Sequence, residues 1–120
     1  MRILYIVSTL GRSGPTNQLF SLVNLLNKKS FTPVILTLSS EPEDSRIYDF
    51  HRLDVEIYSL DLSRIQTLLS GKSRLKDKID EIDPGVIHTQ GIRADSLLSN
   101  LNLSIPWIMT SRNFPIDDYP

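Results

Sequence analysis

The chain contains no cysteine, which excludes a disulfide framework and a thiolate metal site and fits a reducing compartment. Charge of one sign is also missing. Lys and Arg number 13 against 14 Asp and Glu, a formal net charge of -1, so no overall field points to nucleic acid or to an acidic membrane surface. No apolar run is long enough to span a bilayer, and the opening run Ile3 to Val7 is too short even for a signal-peptide core. These absences predict a soluble, cytoplasmic protein, with peripheral association at the inner face of a membrane left open. Nor is there an internal repeat, linker or low-complexity segment in the 120 residues, a length of about one domain with a single core.

What is present is a regular alternation. Ile3 to Val7 is a continuous apolar run, the pattern of a strand covered on both faces. Gly11 and Gly14 follow, and Pro15 suits the first turn of a helix, where its missing N–H costs nothing. Leu19, Leu22, Val23 and Leu26 then fall on one helical face, with Lys28 and Lys29 placed for the last turn. Phe31 to Leu38 reads as the second strand, Pro33 standing near its start. The Glu41-Pro42-Glu43-Asp44 turn opens one or two helical turns through Arg46 to Phe50, and Val55 to Leu60 is a third strand.

Ser63 and Gln66 have the spacing of a capping box. From there Ile65, Leu68, Leu69, Leu75, Ile79 and Ile82 predict one apolar face running to an Asp83-Pro84-Gly85 turn. Gly71 interrupts it at a cost of roughly 1 kcal/mol relative to Ala, so a kink or a split is expected there. Val86 to His88 is a very short fourth strand, Ala94, Leu97, Leu98 and Leu101 a fourth helical face, and Ile105 to Thr110 a fifth strand. The order β-α-β-α-β-α-β-α-β predicts an α/β fold, a doubly wound, Rossmann-like parallel sheet with right-handed crossovers. Ser111 to Pro120 carries no element of its own, so residues 1–120 read as one domain, incomplete at its C-terminus.

In such a sheet ligands bind at the carboxyl edge of the strands. After the first strand, Gly11, Gly14, Thr16 and Asn17 are candidates for an anion at a helix start, or the glycines merely make the turn. Gly11-Arg12-Ser13-Gly14 is neither a dinucleotide fingerprint nor a P-loop. After the fourth strand, His88 at the strand's end is a candidate donor or base, against a structural role in packing. Arg93 is a candidate phosphate or carboxylate clamp, or the partner of Asp95 or Asp83. Asp95 reads most simply as a capping or dipole residue. After the fifth strand, Arg112 and Asn113 are placed for an anionic or polyhydroxylated ligand, while Asp117 and Asp118 form an acidic pair or a solvated turn. His51 has no assigned role. A receiver domain would need a pair of acids where Ser8-Thr9 stands, although Asp61 follows the third strand; a ribose-binding acid would be Glu41, one position late.

The stretch Arg-Ile-Leu-Tyr-Ile-Val-Ser-Thr-Leu-Gly-Arg-Ser-Gly-Pro-Thr-Asn-Gln-Leu from Arg2 resembles the opening of GT-B glycosyltransferases of the retaining family 4 kind, with a strand, a G-x-x-G loop and a helix. Val86-Ile-His-Thr-Gln-Gly-Ile-Arg-Ala-Asp resembles that family's D-I-I-H-x-H-G-x-R-A-D segment, and Pro106-Trp-Ile-Met-Thr-Ser-Arg-Asn its P-x-V-x-T-x-H-N segment. The resemblance implies two Rossmann-like domains around a cleft, of which this chain carries the N-terminal, acceptor-side one. It implies that Gly14 approaches the donor phosphates or the acceptor, and that His88, Arg93 and Asp95 line the cleft. Arg112 stands where the family often has a His, so a His-assisted role does not carry over and a cationic role toward phosphate replaces it; His88 and Arg112 are the catalytic candidates. The partners implied are the C-terminal donor-binding domain, a nucleotide sugar as substrate and a carbohydrate or lipid-linked acceptor, with no nucleic acid, no metal and no other cofactor. The 120 residues alone are expected to be inactive. The alternative is a free-standing Rossmann-like nucleotide- or cofactor-binding module, or an interaction module.

Overall fold

The structure, a computed structural model, describes residues 1–26 and 29–110. The elements alternate as β1 (Arg2–Val7), α1 (Gly14–Leu25), β2 (Thr32–Thr37), α2 (Ile47–His51), β3 (Glu56–Ser59), α3 (Arg64–Ile82), β4 (Val86–Gln90), α4 (Ile92–Ser99) and β5 (Trp107–Thr110). The five strands form one all-parallel sheet in the order β3-β2-β1-β4-β5. Flanked by helices, the sheet is compatible with a Rossmann-like fold.

β1 is central, which explains its unbroken apolar run. Leu4 and Ile6 join Val34, Leu36 and Ile87 beneath Leu75 and Ile79 of α3 and Ala94 and Leu98 of α4. Tyr5 and Val7 point the other way, with Ile35, against Leu19 and Val23 of α1 and Phe50 of α2. Each fully buried Leu or Ile contributes about 1.5–3 kcal/mol. The chain winds outward from β1 to β3, then returns to add β4 and β5 on the opposite side of β1. The β1–α1 and β4–α4 loops therefore part from each other at the boundary of β1 and β4, where open α/β sheets leave a crevice.

Several expectations are corrected. α1 ends at Leu25 with Leu26 as its C-cap, so the lysine pair is not part of its last turn; Lys28 itself lies outside the described residues. Leu22 is exposed, and Thr16 takes an inward position instead. Glu41 to Asp44 is loop, and α2 begins only at Ile47. β4 continues two residues past His88, because Thr89 pairs with both Ile6 and Met109 and Gln90 pairs with Thr110. His88 is therefore inside the strand rather than at its carboxyl end.

The largest change concerns α3. Its capping box forms as expected, Ser63 Oγ accepting from the Gln66 N–H and Gln66 Oε1 from the Ser63 N–H. The helix then runs unbroken through Gly71. Its inward side carries Gly71, Leu75, Ile79 and Ile82, while Ile65, Leu68 and Leu69 are 68%, 85% and 82% exposed. At about 1.5 Å per residue, the 19-residue helix is longer than strands of four to six residues rising about 3.3 Å each. Its first turns run past the strands they would otherwise cover.

Candidate functional site

The β1–α1 loop is held from behind by the β2–α2 loop. The Leu10 N–H donates to both oxygens of Glu41, at 2.9 and 3.1 Å, and the Arg46 N–H donates to the Leu10 carbonyl at 2.8 Å. Gly11 forms an antiparallel bridge with Ser45, whose hydroxyl also donates to Glu41. A Cβ on Gly11 would stand 3.1 Å from Cγ of Pro42, so the glycine permits this close approach. Ser13 then caps α1: its backbone is extended and its Oγ accepts from the Thr16 N–H at 3.3 Å. Pro15 occupies the first turn, where a missing donor is harmless.

In front of this loop lies a cleft of about 390 Å³. Thr9, Gly11, Arg12, Ser13 and Thr16 line it from the β1 side, Gln90 and Gly91 from the β4 side, and Asp44 from the β2–α2 loop. Thr16 and Gln90 are buried polar side chains. Gly91 is the N-cap of α4, with φ 97° and ψ 153°, a conformation essentially reserved for glycine. The starts of α1 and α4 thus border one cleft, and helix starts present N–H groups and positive potential. With the Arg12 guanidinium, the Asp44 carboxylate and the neutral Gln90 amide, the cleft suits a ligand bearing both hydroxyl groups and an anionic group. Among the described residues no cluster of three or more His, Asp or Glu is placed to hold a metal ion.

The sequence candidates separate. Gly11 and Thr16 border the cleft. Gly14 opens α1, and a Cβ there would meet nothing within 4 Å. Asn17 accepts from Arg46 Nη1 at 2.8 Å, and that guanidinium also pairs with Asp49 at 3.0 Å and stacks 4.3 Å over the Phe20 ring. The hydrogen bond from Arg46 holds the Asp49 carboxyl below its usual range. His88 is half-buried, its ring 5.4 Å from that of Tyr5, and burial lowers its pKa. Burial likewise raises that of Tyr5.

Arg93 turns away from this cleft toward the start of α3, donating to the hydroxyls of Ser39 and Thr67. Asp95 accepts from Thr89 Oγ1, which in turn accepts from Trp107 Nε1 at 2.9 Å. It lies in the first turn of α4, a favourable place for a negative charge, while the cap itself is Gly91. Glu41 is spent on the Leu10 amide, and Asp61 accepts from Ser40. Arg112, Asn113, Asp117 and Asp118 lie outside the described residues.

Among the cleft residues that the sequence reading passed over are Arg12, Ser13, Asp44 and Gln90. Ser13 carried a signal, because a Ser immediately before a Gly-Pro helix start is a preferred N-cap. Gln90 carried none, since only pairing reveals that β4 reaches it. Comparison with protein-family models, curated proteins and solved structures finds no match.

Proposed function

We propose that the chain is the N-terminal, acceptor-side domain of a nucleotide-sugar-dependent retaining glycosyltransferase, a doubly wound half of a GT-B fold. The observation that carries this reading is the cleft at the junction of β1 and β4. Two of the three resembling motifs meet there, the Gly11-Arg12-Ser13-Gly14 loop and the Gln90-Gly91 pair of the Val86–Asp95 segment. In this reading the opposite wall is a C-terminal donor-binding domain. The third motif, around Arg112 and Asn113, lies outside the described residues.

The reaction breaks the bond between the anomeric carbon and the diphosphate and forms one to an acceptor hydroxyl oxygen, whose proton passes to the departing diphosphate. Negative charge grows on the departing diphosphate, where preorganised donors stabilise it. Arg12 and the Gly14 N–H are the donors this domain contributes from the start of α1, since Pro15 has no N–H and those of Thr16 and Asn17 already serve Ser13. Gln90 and Asp44 serve the hydroxyl groups of the acceptor. His88 is half-buried inside β4, where burial lowers its pKa, and it is not among the residues lining the cleft.

The test is to incubate the full-length gene product with a panel of nucleotide sugars and carbohydrate or lipid-linked acceptors, following release of nucleoside diphosphate. Acceptor-dependent release by the full-length protein, and none from residues 1–120 alone, is the expected result. Tight calorimetric binding of NAD(P), ATP or S-adenosylmethionine by the 120 residues would overturn it in favour of a free-standing cofactor-binding module.

A further inference from the structure

Between α3 and α4 lies a second cavity, of about 430 Å³, which shares no lining residue with the cleft at β1 and β4. Lys72 of α3 and Arg93 of α4 line it together with Leu68 and Leu97. Arg93 is half-buried, and its Nη1 and Nη2 donate to the hydroxyls of Ser39 and Thr67. Thr67 in turn donates to the Ser63 carbonyl at 2.8 Å, so the guanidinium is held in one orientation. Both of its partners are neutral. A guanidinium withdrawn from water is ordinarily paired with an anion. Here two hydroxyls take two of its five N–H donors and leave its charge uncompensated.

Among the described residues neither Lys72 nor Arg93 has a carboxylate partner. Asp95, two positions from Arg93, is engaged with Thr89, and Asp61 with Ser40. Arg93, Leu97 and Asn100 recur at helical spacing on one face of α4, so the groove runs about 10 Å along that helix. Past the cations it is polar without charge. Asn100 Nδ2 donates to the Ser96 carbonyl at 2.9 Å. The Ser96 hydroxyl and the Asn100 side-chain oxygen have no partner among the described residues.

We propose that this groove binds a small hydroxylated phosphate monoester, of the size of a sugar phosphate. The phosphate, a dianion above a pH of about 6, meets Lys72 and the remaining N–H groups of Arg93, whose planar fork matches it. Ser96 and Asn100 bond the hydroxyl groups farther along α4, and Leu68 and Leu97 pack against the carbon skeleton. Two cations facing one cavity select a dianion over a carboxylate, and a bare phosphate would fill only their end of it. The proposal does not rest on the transferase reading, because the two sites have separate linings and no nucleotide sugar is needed to measure it.

Calorimetric titration of the full-length gene product with ribose 5-phosphate, ribose and inorganic phosphate tests it, beside flotation with phosphatidylglycerol vesicles. Ribose 5-phosphate is expected to bind with a dissociation constant of about 1 mM or tighter, and less tightly as salt rises. Inorganic phosphate is expected to bind roughly tenfold more weakly, for want of the hydroxyl contacts, and ribose not at all. Lys72→Glu, at an exposed position, is expected to keep the parent's melting temperature and to lose binding. Asn100→Ala is expected to weaken ribose 5-phosphate about fivefold and to leave inorganic phosphate unchanged. No binding of ribose 5-phosphate overturns the proposal, as does equal binding of inorganic phosphate, which would make the groove a simple anion site. Binding that Lys72→Glu keeps and Arg12→Ala loses would place the ester in the first cleft and overturn it too. Flotation with the vesicles and no response to the free ester would assign the two cations to a lipid headgroup instead.

Discussion

Glu41 closes its carboxylate over the backbone N–H of Leu10, 2.9 and 3.1 Å from the two oxygens, and so ties the second βα loop to the first. The contact joins residues 31 positions apart. It lies behind the cleft, so the shape of the loop that lines the cleft depends on a side chain outside that lining.

Glu41→Ala leaves the Leu10 N–H without its acceptor beside a fully buried Leu10 side chain. An unsatisfied buried donor costs about 1–3 kcal/mol. The expected outcome in urea unfolding is a loss in that range, with Glu41→Gln losing less because its amide oxygen still accepts. Equal stability of Glu41→Ala and the parent would remove the loop tie from the account.

The two cleft glycines and Gly14 at the start of α1 are expected to respond differently to alanine. Gly91→Ala has room for its methyl but must hold φ 97° and ψ 153°, a strain of about 1–3 kcal/mol. Gly11→Ala pushes a methyl to 3.1 Å from Pro42 and is expected to lower the melting temperature unless Pro42 gives way. Gly14→Ala meets nothing and sits at a helix start, so it is expected to be neutral or slightly stabilising. Thermal melts of the three variants supply the order.

His88 gives stability a pH dependence of known sign. Burial lowers its pKa in the folded state, so over the window between that depressed value and the ordinary value of about 6.5 the unfolded chain binds more protons. Stability therefore rises with pH through that window and falls on acidification. Urea titrations at about pH 5 and about pH 8 are expected to show a smaller difference for His88→Gln than for the parent. An unchanged difference would place the titrating group elsewhere.

Arg12 is exposed and lines the cleft. On the proposed transferase reading, Arg12→Ala in the full-length protein is expected to lower kcat/KM for sugar transfer by roughly tenfold to a hundredfold, the range of one charge-assisted hydrogen bond of about 1.5–3 kcal/mol. Its melting temperature is expected to stay that of the parent. A variant that loses activity and stability together would point to a structural role.

Local signals carried well wherever they are local in physics. The capping box of Ser63 and Gln66, the Pro15 helix start and the turn at Asp83, left-handed at φ 54°, each depend on residues within a few positions. The doubly covered run Ile3 to Val7 was also readable, because burial on both faces leaves no polar alternation. Periodicity placed α3 but put Ile65, Leu68 and Leu69 on its buried face, since they have helical spacing whether or not a sheet lies beneath them. The extent of β4 was equally hidden: Thr89 and Gln90 are polar, and only Ile6, Met109 and Thr110 across the ladder make them strand.

The sequence by itself determined the alternation of elements and the edge of the sheet to which the strand-to-helix loops run. Those follow from apolar period, capping and the parallel connections that alternation requires. Which edge residues share a cleft was decided only by the tertiary structure. Strand order sets β1 beside β4, which brings Gly11, Arg12 and Gln90 together, while Thr67 and Ser39 draw Arg93 to the other side. Proximity across a sheet is a property of pairing partners, and no short window of residues contains both.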